Sequence, residues 1–290
     1  MSGPHSAYTS RMYRGILKIL LIGIPVLFLL GIGLMAVMRA RDYSQRLQCQ
    51  YNLGRVGLFG MWTYMEPEMM KDVPKGANDA DRWRALPNDF QPGTDMKFPP
   101  GTLANPLLPP EKRLSWQFIL LPYLDQGELY ADFNSTKAWD DPANAAAAGK
   151  FVRFLACPSQ FDSSHPATAH YIGMAGIGAD APQLPTSDPR AGLFHYDGQA
   201  KVGELARGLS NTLSMMESSR HLGPWAAGGP PTLRGLDPND MPFIGAERQF
   251  GGHPRGANAA FADGSVRFQN YDIDPRVLQR LVTLAVREPE

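Results

Sequence analysis

The stretch ILLIGIPVLFLLGIGLMAVM, residues 19–38, contains no charged side chain. At a rise of about 1.5 Å per residue, an α-helix of this length spans about 30 Å, the thickness of the hydrocarbon core of a bilayer. The proline and three glycines inside it would weaken a helix in water but are common in membrane helices. The stretch therefore predicts one transmembrane helix, which residues 1–18 precede and most of the chain follows.

A cleaved signal peptide is the alternative interpretation of the same stretch. Gly31 and Gly33 form a small-x-small pair of the kind found at signal-peptide cleavage sites. The apolar core of a signal peptide is usually about 7 to 15 residues long, whereas here apolar residues continue to Met38. The transmembrane helix is therefore the favoured interpretation.

Charge alone does not decide the orientation of this helix, because basic residues lie on both sides of it. The two cysteines, Cys49 and Cys157, are an even number that suits a disulfide formed outside the cytoplasm. Such a disulfide would close a loop of about 100 residues and contribute about 4 to 5 kcal/mol. The alternative is two buried free thiols that act as small apolar side chains. We expect a single-pass protein of the cell membrane with a cytoplasmic N-terminus and an extracytoplasmic C-terminal domain.

Composition narrows the class of protein. The 28 Lys and Arg residues equal the 28 Asp and Glu residues, so the basic excess of a nucleic-acid-binding protein is missing and we expect no nucleic-acid partner. The 29 glycines and 26 prolines favour many turns and long loops over a helical bundle. No period of about 20 to 50 residues recurs, which argues against solenoids and propellers.

Hydrophobic patterning divides the remainder of the chain. Residues 39–65 place apolar side chains at helical spacing, which predicts an amphipathic continuation of the membrane helix. Residues 66–110 are rich in proline and predict an extended excursion without a core. Residues 111–290 predict the extracytoplasmic domain. Together these segments predict an α+β fold, in which a long N-terminal helix, half of it transmembrane, packs on an antiparallel β-sheet with long loops.

Individual elements of the domain follow from local patterns. The run WQFILL predicts a buried strand or the start of a helix, and Asp263–Gly264 predicts a type I′ hairpin turn, in which both central residues have positive φ. Asp274 and Pro275 form an N-cap and N1 pair that begins a final amphipathic helix. The other predicted elements are helices at 122–133 and 143–154, strands at 170–176, 192–196 and 212–218, and a hairpin at 258–268.

Candidate sites are few. His253 and Asp263 are residue types that bind metals or transfer protons, but one His and one Asp are too few for a zinc site. A loop His and a hairpin Asp–Gly also have ordinary structural uses, which we favour. We therefore expect no metal ion and no cofactor.

Enzymatic activity is not expected either. The chain contains no G-x-S-x-G nucleophile motif, no phosphate-binding loop and no paired-histidine zinc motif. Glu217, at the end of a predicted strand, is interpreted as a lone carboxylate on a solvated face. Trp225 and Trp139 could line a ligand surface, although packing in the core is the commoner use of tryptophan.

A resemblance to a known family rests on several blocks. His253, nine intervening residues and Asp263–Gly264 form an H-x9-DG segment. Other blocks, in chain order, are LQCQYNL at 47–53, FPPGT at 98–102, SWQFILLPYLDQ at 115–126, FLACPS at 154–159 and LSNT at 209–212. With these residues the chain resembles the prepilin-like family of planctomycetes known as domain of unknown function 1559, which also bears a bacterial solute-binding name. The resemblance implies a pilin- or pseudopilin-like architecture.

The resemblance also frames the expected function. Arg14–Gly15 stands where prepilin peptidase would cut, but the fifth residue after the junction is Leu20 and not the usual Glu. We expect a membrane-anchored, pseudopilin-like structural component of the envelope or of secretion. Its expected partners are the lipid bilayer and other envelope or pseudopilin-like subunits. The alternative is a membrane-tethered solute- or glycan-binding domain.

Overall fold

The computed structural model describes residues 23–66 and 92–285, together with the single positions 17, 21 and 81. The chain divides into two units, Met1–Ser44 and Gln45–Glu290. The predicted peptidase junction at Arg14–Gly15 and most of the proline-rich excursion lie outside the described residues.

A long helix begins the described chain, and the prediction of such a helix is confirmed. Helix α1 covers Ile24–Gly54, and it continues through a π-helical stretch, Arg55–Trp62, into the short helix α2, Thr63–Met65. All residues from 24 to 44 are exposed. The helix is long and apolar enough to cross a membrane, and a signal sequence near the N-terminus would look the same.

A five-stranded sheet forms the centre of the second unit. Its strands are β1 (Tyr171–Ile177), β2 (Leu213–Glu217), β3 (Leu233–Leu236), β4 (Gly256–Phe261) and β5 (Val266–Asn270), in the spatial order β3-β1-β2-β4-β5. The expectation of an antiparallel sheet is corrected at one edge, because β3 runs parallel to β1 while the other pairs are antiparallel. The chain crosses β1 between β2 and β3, and this crossover makes the sheet mixed.

Short helices surround the sheet. They are α3 (Trp116–Leu120), α4 (Gly127–Ala131), α5 (Pro142–Ala148) and α6 (Pro275–Val282). The WQFILL run is thus mainly helical, but the helix expected at 122–133 is interrupted because Asp125 adopts a left-handed φ of 60°. The helix expected to reach residue 154 ends at Ala148, where Gly149 follows as its C-cap.

The strand expected at 192–196 is absent from this part of the described chain. Its apolar side chains are buried, which accounts for the pattern in the sequence. Its backbone meets β1 only locally, where Gly192 N donates to Ala175 O over 2.7 Å and Leu193 N donates to Met174 O over 3.1 Å. The apolar pattern of residues 192–196 therefore reflects burial, and the segment is not a strand because it lacks a continuous series of hydrogen bonds to β1.

The predicted hairpin is formed by β4 and β5, but its turn is not type I′. Gly264 has a positive φ of 82°, whereas Asp263 does not belong to the residues with positive φ. The Asp263 carboxylate instead accepts hydrogen bonds from Ser265 N over 2.9 Å and from Ser265 Oγ over 2.7 Å. This side-chain turn replaces the backbone conformation that a two-residue hairpin requires.

Apolar layers cover both faces of the sheet. On one face, the helical segment from residue 45 onward buries Cys49, Leu53 and Phe59. Gly57 allows a close approach there, because a Cβ at this position would lie 3.6 Å from Met215 Cε and 3.7 Å from the backbone of the hairpin turn. On the other face, α6 buries its Leu278 and Val282 against a second cluster. Strands β1, β2 and β4 are thus protected from water on both sides, whereas the edge strand β5 is partly exposed.

Candidate functional site

A disulfide joins the N-terminal helix to the domain. Cys49 on α1 and Cys157 are bonded, their Cα atoms lie 5.3 Å apart, and both residues are 0 % exposed. One helical turn after Cys49, Asn52 Nδ2 donates to Ala156 O over 3.1 Å and to Arg153 O over 3.4 Å. These bonds hold α1 against the segment that carries Cys157.

Glu217 and His253 lie directly beside this disulfide. His253 Nε2 lies 3.2 Å from Glu217 Oε1 and 3.6 Å from Cys157 Sγ. The side chains of Glu217 and His253 are 0 % and 1 % exposed. The interpretation of Glu217 as a solvated carboxylate is therefore wrong, because the end of β2 is buried beneath α1 and the loop of His253.

Neighbouring strands fix the position of the Glu217 carboxylate. Asn258 lies on β4, which pairs with β2. Its backbone N donates to Glu217 Oε2 over 2.6 Å, and its Nδ2 donates to Glu217 Oε1 over 3.2 Å. Both carboxylate oxygens therefore have donors, as a buried carboxylate requires.

Arg234 on β3 holds the loops that flank these side chains. Its Nη2 donates to Arg220 O and Gln249 O, each over 3.0 Å, and also to the hydroxyl of Ser218. Burial lowers the pKa of this guanidinium to about 10. Arg234 thereby holds Ser218, which follows Glu217, and the loop before His253 in fixed positions.

Tyr171 closes the site on the side of β1. It stands opposite Glu217 in the β1–β2 pairing, and its hydroxyl donates to Ala156 O over 3.4 Å. Burial, with a smaller contribution from the Glu217 charge, raises the pKa of Tyr171 well above its usual value of about 10. The hydroxyl therefore stays neutral, and the site is closed to solvent.

The H-x9-DG segment does not bring its own residues together. His253 precedes β4 and Asp263 follows it, so the strand, which is about 17 Å long at about 3.3 Å per step, lies between them. Asp263 belongs to the hairpin turn. Burial is the largest single effect and raises its pKa, but hydrogen bonds from Ser265 and Ser210 and the charge of Arg267 together leave the pKa lowered. His253 belongs to the buried cluster with Cys157 and Glu217. The spacing of the segment thus reflects the length of one strand.

Comparison with protein families identifies the chain. A family model described as a protein of unknown function, DUF1559, matches residues 38–238. The chain belongs to the DUF1559 family. The matched residues of this DUF1559 member include Cys49, Cys157 and Glu217, whereas His253 and Asp263 lie beyond them. The resemblance stated from the sequence is confirmed, and neither the curated proteins nor the solved structures contain a match to the chain.

The two tryptophans proposed for a ligand surface have other roles in the DUF1559 chain. Trp225 is 1 % exposed, packs edge-on against Phe133 at a ring distance of 5.7 Å, and donates its indole N–H to Lys150 O over 2.9 Å. It is a core residue, and its assignment to a surface is corrected. Trp139 is half-buried, and its indole donates to Glu111 O over 3.0 Å.

Sequence reasoning about this DUF1559 member missed Glu217 and Asn258 as partners. One signal was available for Glu217: side chains on a strand alternate between faces, so Glu217 shares the inward face of Met215. The partner His253 is 36 residues away in sequence, and no local pattern connects the two. The burial of Glu217 could therefore have been predicted from the strand pattern, but its contact with His253 could not.

A cleft of about 490 Å³ lies elsewhere on the DUF1559 domain. Its polar lining includes an exposed pair in which His165 Nδ1 lies 2.9 Å from Asp162 Oδ2. Gln160 Nε2 and His170 Nδ1 are buried with no hydrogen-bond partner among the described residues. The remaining lining residues are Gly149, Pro166, Ala167, Thr168, Leu222, Gly223 and Pro224.

Acidification is expected to destabilise the domain through His170. Burial lowers the pKa of His170 from its usual 6.5 to about 4, so between these pH values the unfolded chain binds a proton that the folded chain does not. The stabilisation is fully present above about pH 6.5 and is lost as the pH falls to about 4, by about 3 kcal/mol in total. Chemical unfolding of the detergent-solubilised chain across this range measures the loss. The variant His170→Gln should show a shallower pH dependence.

Two comparisons isolate the His170 effect. Burial also lowers the pKa of His195, so the wild-type slope contains a second contribution of the same sign. The control variant His165→Gln, which changes an exposed histidine, should keep the wild-type slope. Equal slopes for His170→Gln and the wild type would contradict the prediction.

Proposed function

We propose that the chain is a single-pass membrane protein whose C-terminal unit acts outside the cytoplasm as a non-enzymatic, pseudopilin-like structural component of the envelope. The observation that carries this proposal is the exposed, uncharged surface of α1. Residues 24–38 are helical, contain no charge and are exposed. An apolar surface of this extent is unstable in water and is stabilised by lipid.

The cysteine pair supports an extracytoplasmic domain. Disulfides persist in oxidising compartments and are rare in the cytosol. Cys49 follows the apolar part of α1 by only about 10 residues, so the bond lies close to the membrane surface if α1 spans it. The orientation with a cytoplasmic N-terminus places both cysteines outside.

The sealed state of the buried cluster supports a structural role. The Glu217 and His253 side chains are 0 % and 1 % exposed, so a substrate does not reach them in this conformation. Enzymatic acid–base groups must come within hydrogen-bonding distance of a substrate. We therefore propose that the cluster supports the fold, and that the partners of the protein are the bilayer and other envelope or pseudopilin-like subunits.

Membrane fractionation of two variants tests the anchor. Leu27 and Leu30 are 69 % and 65 % exposed on α1, and Leu107 is 89 % exposed on the domain. The wild-type chain should remain with membranes after alkaline extraction and contain the disulfide. The double variant Leu27→Arg/Leu30→Arg should be released with reduced cysteines, because charges in the centre of a span oppose insertion. The control Leu107→Arg should behave as the wild type.

The mass of the native chain distinguishes an anchor from a signal sequence. A membrane-bound chain that retains residues 24–38 supports the proposal. A soluble chain that begins after the apolar stretch contradicts it.

Cross-linking tests the proposed subunit partners. A photo-reactive residue in place of Leu34, which is exposed on α1, should cross-link to a second copy or to another envelope protein. Adducts with lipid alone would contradict that part of the proposal.

The cleft that contains Asp162 and His165 favours a second candidate function, a membrane-tethered solute- or glycan-binding domain. Its volume of about 490 Å³ lies within the range of small-molecule sites, and polar and apolar groups converge in it. Thermal-shift measurements with panels of glycans, peptides and divalent cations test this function. A ligand that stabilises the wild type but not His165→Ala would support it, and no stabilisation by any ligand would oppose it.

A further inference from the structure

Cys49, Cys157, Glu217 and His253 bring two sulfur atoms, a carboxylate oxygen and an imidazole nitrogen within 4.8 Å of one another. These are the donor types of protein zinc sites. We propose that the chain, when its two cysteines are in the dithiol form, binds one Zn²⁺ through the two Sγ atoms, Glu217 Oε1 and His253 Nε2. The disulfide is the metal-free alternative state of the same residues. This inference does not depend on the membrane anchor.

Two of the distances between donors match a tetrahedral site. With Zn–S near 2.3 Å and Zn–N and Zn–O near 2.0 to 2.1 Å, a tetrahedron separates nitrogen from oxygen by about 3.3 Å and nitrogen from sulfur by about 3.5 Å. His253 Nε2 lies 3.2 Å from Glu217 Oε1 and 3.6 Å from Cys157 Sγ. Two sulfur ligands of one zinc ion lie about 3.8 Å apart, which no disulfide permits. The ion therefore requires the open dithiol.

The surroundings orient the proposed ligands. The backbone N of Asn258 donates to Glu217 Oε2, and this leaves Oε1 directed at His253 and the sulfurs. Asn258 Nδ2 supports Oε1 from outside over 3.2 Å. His253 is held by paired backbone bonds of 3.2 Å with Gly256 at the start of β4. Outer hydrogen bonds to a ligating group, here those from Asn258 to the Glu217 carboxylate, fix the direction of a metal ligand and raise its affinity.

The net charge of the buried site is the same with and without the ion. Opening the disulfide leaves two neutral thiols next to the Glu217 carboxylate in a site that is closed to water. When Zn²⁺ binds, each thiol releases one proton, and the two positive charges of the ion offset the two thiolate charges. The neutral His253 supplies its Nε2 lone pair, and Glu217 binds as the carboxylate.

Conversion of the zinc-bound dithiol into the disulfide is a two-electron oxidation. When the site opens locally and exposes the sulfurs, which are 0 % exposed in the closed fold, the two zinc-bound thiolates lose two electrons in total to a disulfide-bearing oxidant of the thiol-oxidoreductase class. The S–S bond of the oxidant breaks, and its two sulfurs take two protons from water to become thiols. A new S–S bond forms between Cys49 and Cys157, and Zn²⁺ leaves without a change of oxidation state.

Spectroscopy of the reduced full-length chain tests the site. The chain is purified in detergent under reducing, metal-free conditions and titrated with Co²⁺, which replaces zinc and reports its ligands. One equivalent should produce the visible bands of tetrahedral cobalt together with thiolate-to-cobalt charge-transfer bands, and Zn²⁺ should displace it. The oxidised chain should show neither set of bands. X-ray absorption of the zinc form should show two sulfur and two nitrogen or oxygen ligands.

Variants identify the ligands. His253→Gln and Glu217→Gln should each weaken metal binding more than about 10-fold, and Cys49→Ser/Cys157→Ser should abolish the charge-transfer bands. The matched control Glu128→Gln changes an exposed residue outside both the buried cluster and the cleft, and it should bind as the wild type. The absorption data on the wild type remain decisive if a variant fails to fold.

Three results would overturn the proposal. The first is a folded, reduced wild-type chain that takes up no stoichiometric Co²⁺ or Zn²⁺. The second is a metal site without sulfur ligands. The third is metal binding with thiolate bands that His253→Gln and Glu217→Gln leave unchanged.

Discussion

Replacement of both cysteines with alanine in the oxidised protein should lower the free energy of unfolding by about 4 to 5 kcal/mol. The Cys49–Cys157 bond closes a loop with a sequence separation of 108 residues, and constraining a loop of that length removes this much entropy from the unfolded chain. The double variant is chosen because a single variant would leave one free thiol. Chemical unfolding in detergent, followed by tryptophan fluorescence, measures the change.

The rate at which the Cys49–Cys157 disulfide is reduced should also depend on whether the protein is folded. Because both sulfurs belong to residues that are 0 % exposed, a small dithiol should reduce the native protein slowly and the unfolded protein quickly. The control Leu107→Ala, at an exposed position, should stay within about 0.5 kcal/mol of the wild type. A loss below about 1 kcal/mol in the double variant would contradict the stabilising role of the bond.

Replacement of Glu217 with glutamine should destabilise the oxidised domain by about 1 to 3 kcal/mol. The carboxylate accepts hydrogen bonds from Asn258 N and Nδ2 and lies 3.2 Å from His253 Nε2. In glutamine, an NH2 donor replaces one of the two oxygens that accept these hydrogen bonds. One donor of the site then faces another donor, and buried polar atoms are left unpaired. The same unfolding measurement gives the change.

A double-variant cycle tests whether Glu217 acts through His253. Glu217→Gln and His253→Gln should be non-additive, since residues in direct contact share one interaction energy. The exposed control Glu128→Gln should have little effect. Additive losses from Glu217→Gln and His253→Gln would contradict the coupling.

Local patterns predicted much of the fold. Strands β1, β2 and the β4–β5 hairpin were found because alternating apolar residues and an Asp–Gly turn are readable over a few residues. Strand β3 was missed because its four residues, LRGL, contain an arginine and a glycine and give no alternation. Its parallel pairing with β1 depends on residues about 60 positions away, which no local window contains.

The sequence identified several residues of the site but did not show which of them lie in contact. Cys49, Cys157 and His253 were singled out, but the only partner weighed for His253 was Asp263 of the same H-x9-DG segment, and a structural role was favoured for both. The true neighbour, Glu217, was assigned to solvent. Proximity along the chain was misleading here because β4 carries the chain away from His253, and pairing of β4 with β2 brings Asn258 to Glu217.

The bond between Cys49 and Cys157 has a consequence for proteolysis. Any single cut of the backbone between these residues, including one in the proline-rich region, leaves two fragments that remain covalently linked. If the apolar helix is held in lipid, such a nick cannot shed the outer fragment from the cell. Shedding would require a second event, either reduction of the bond or another cut outside the loop.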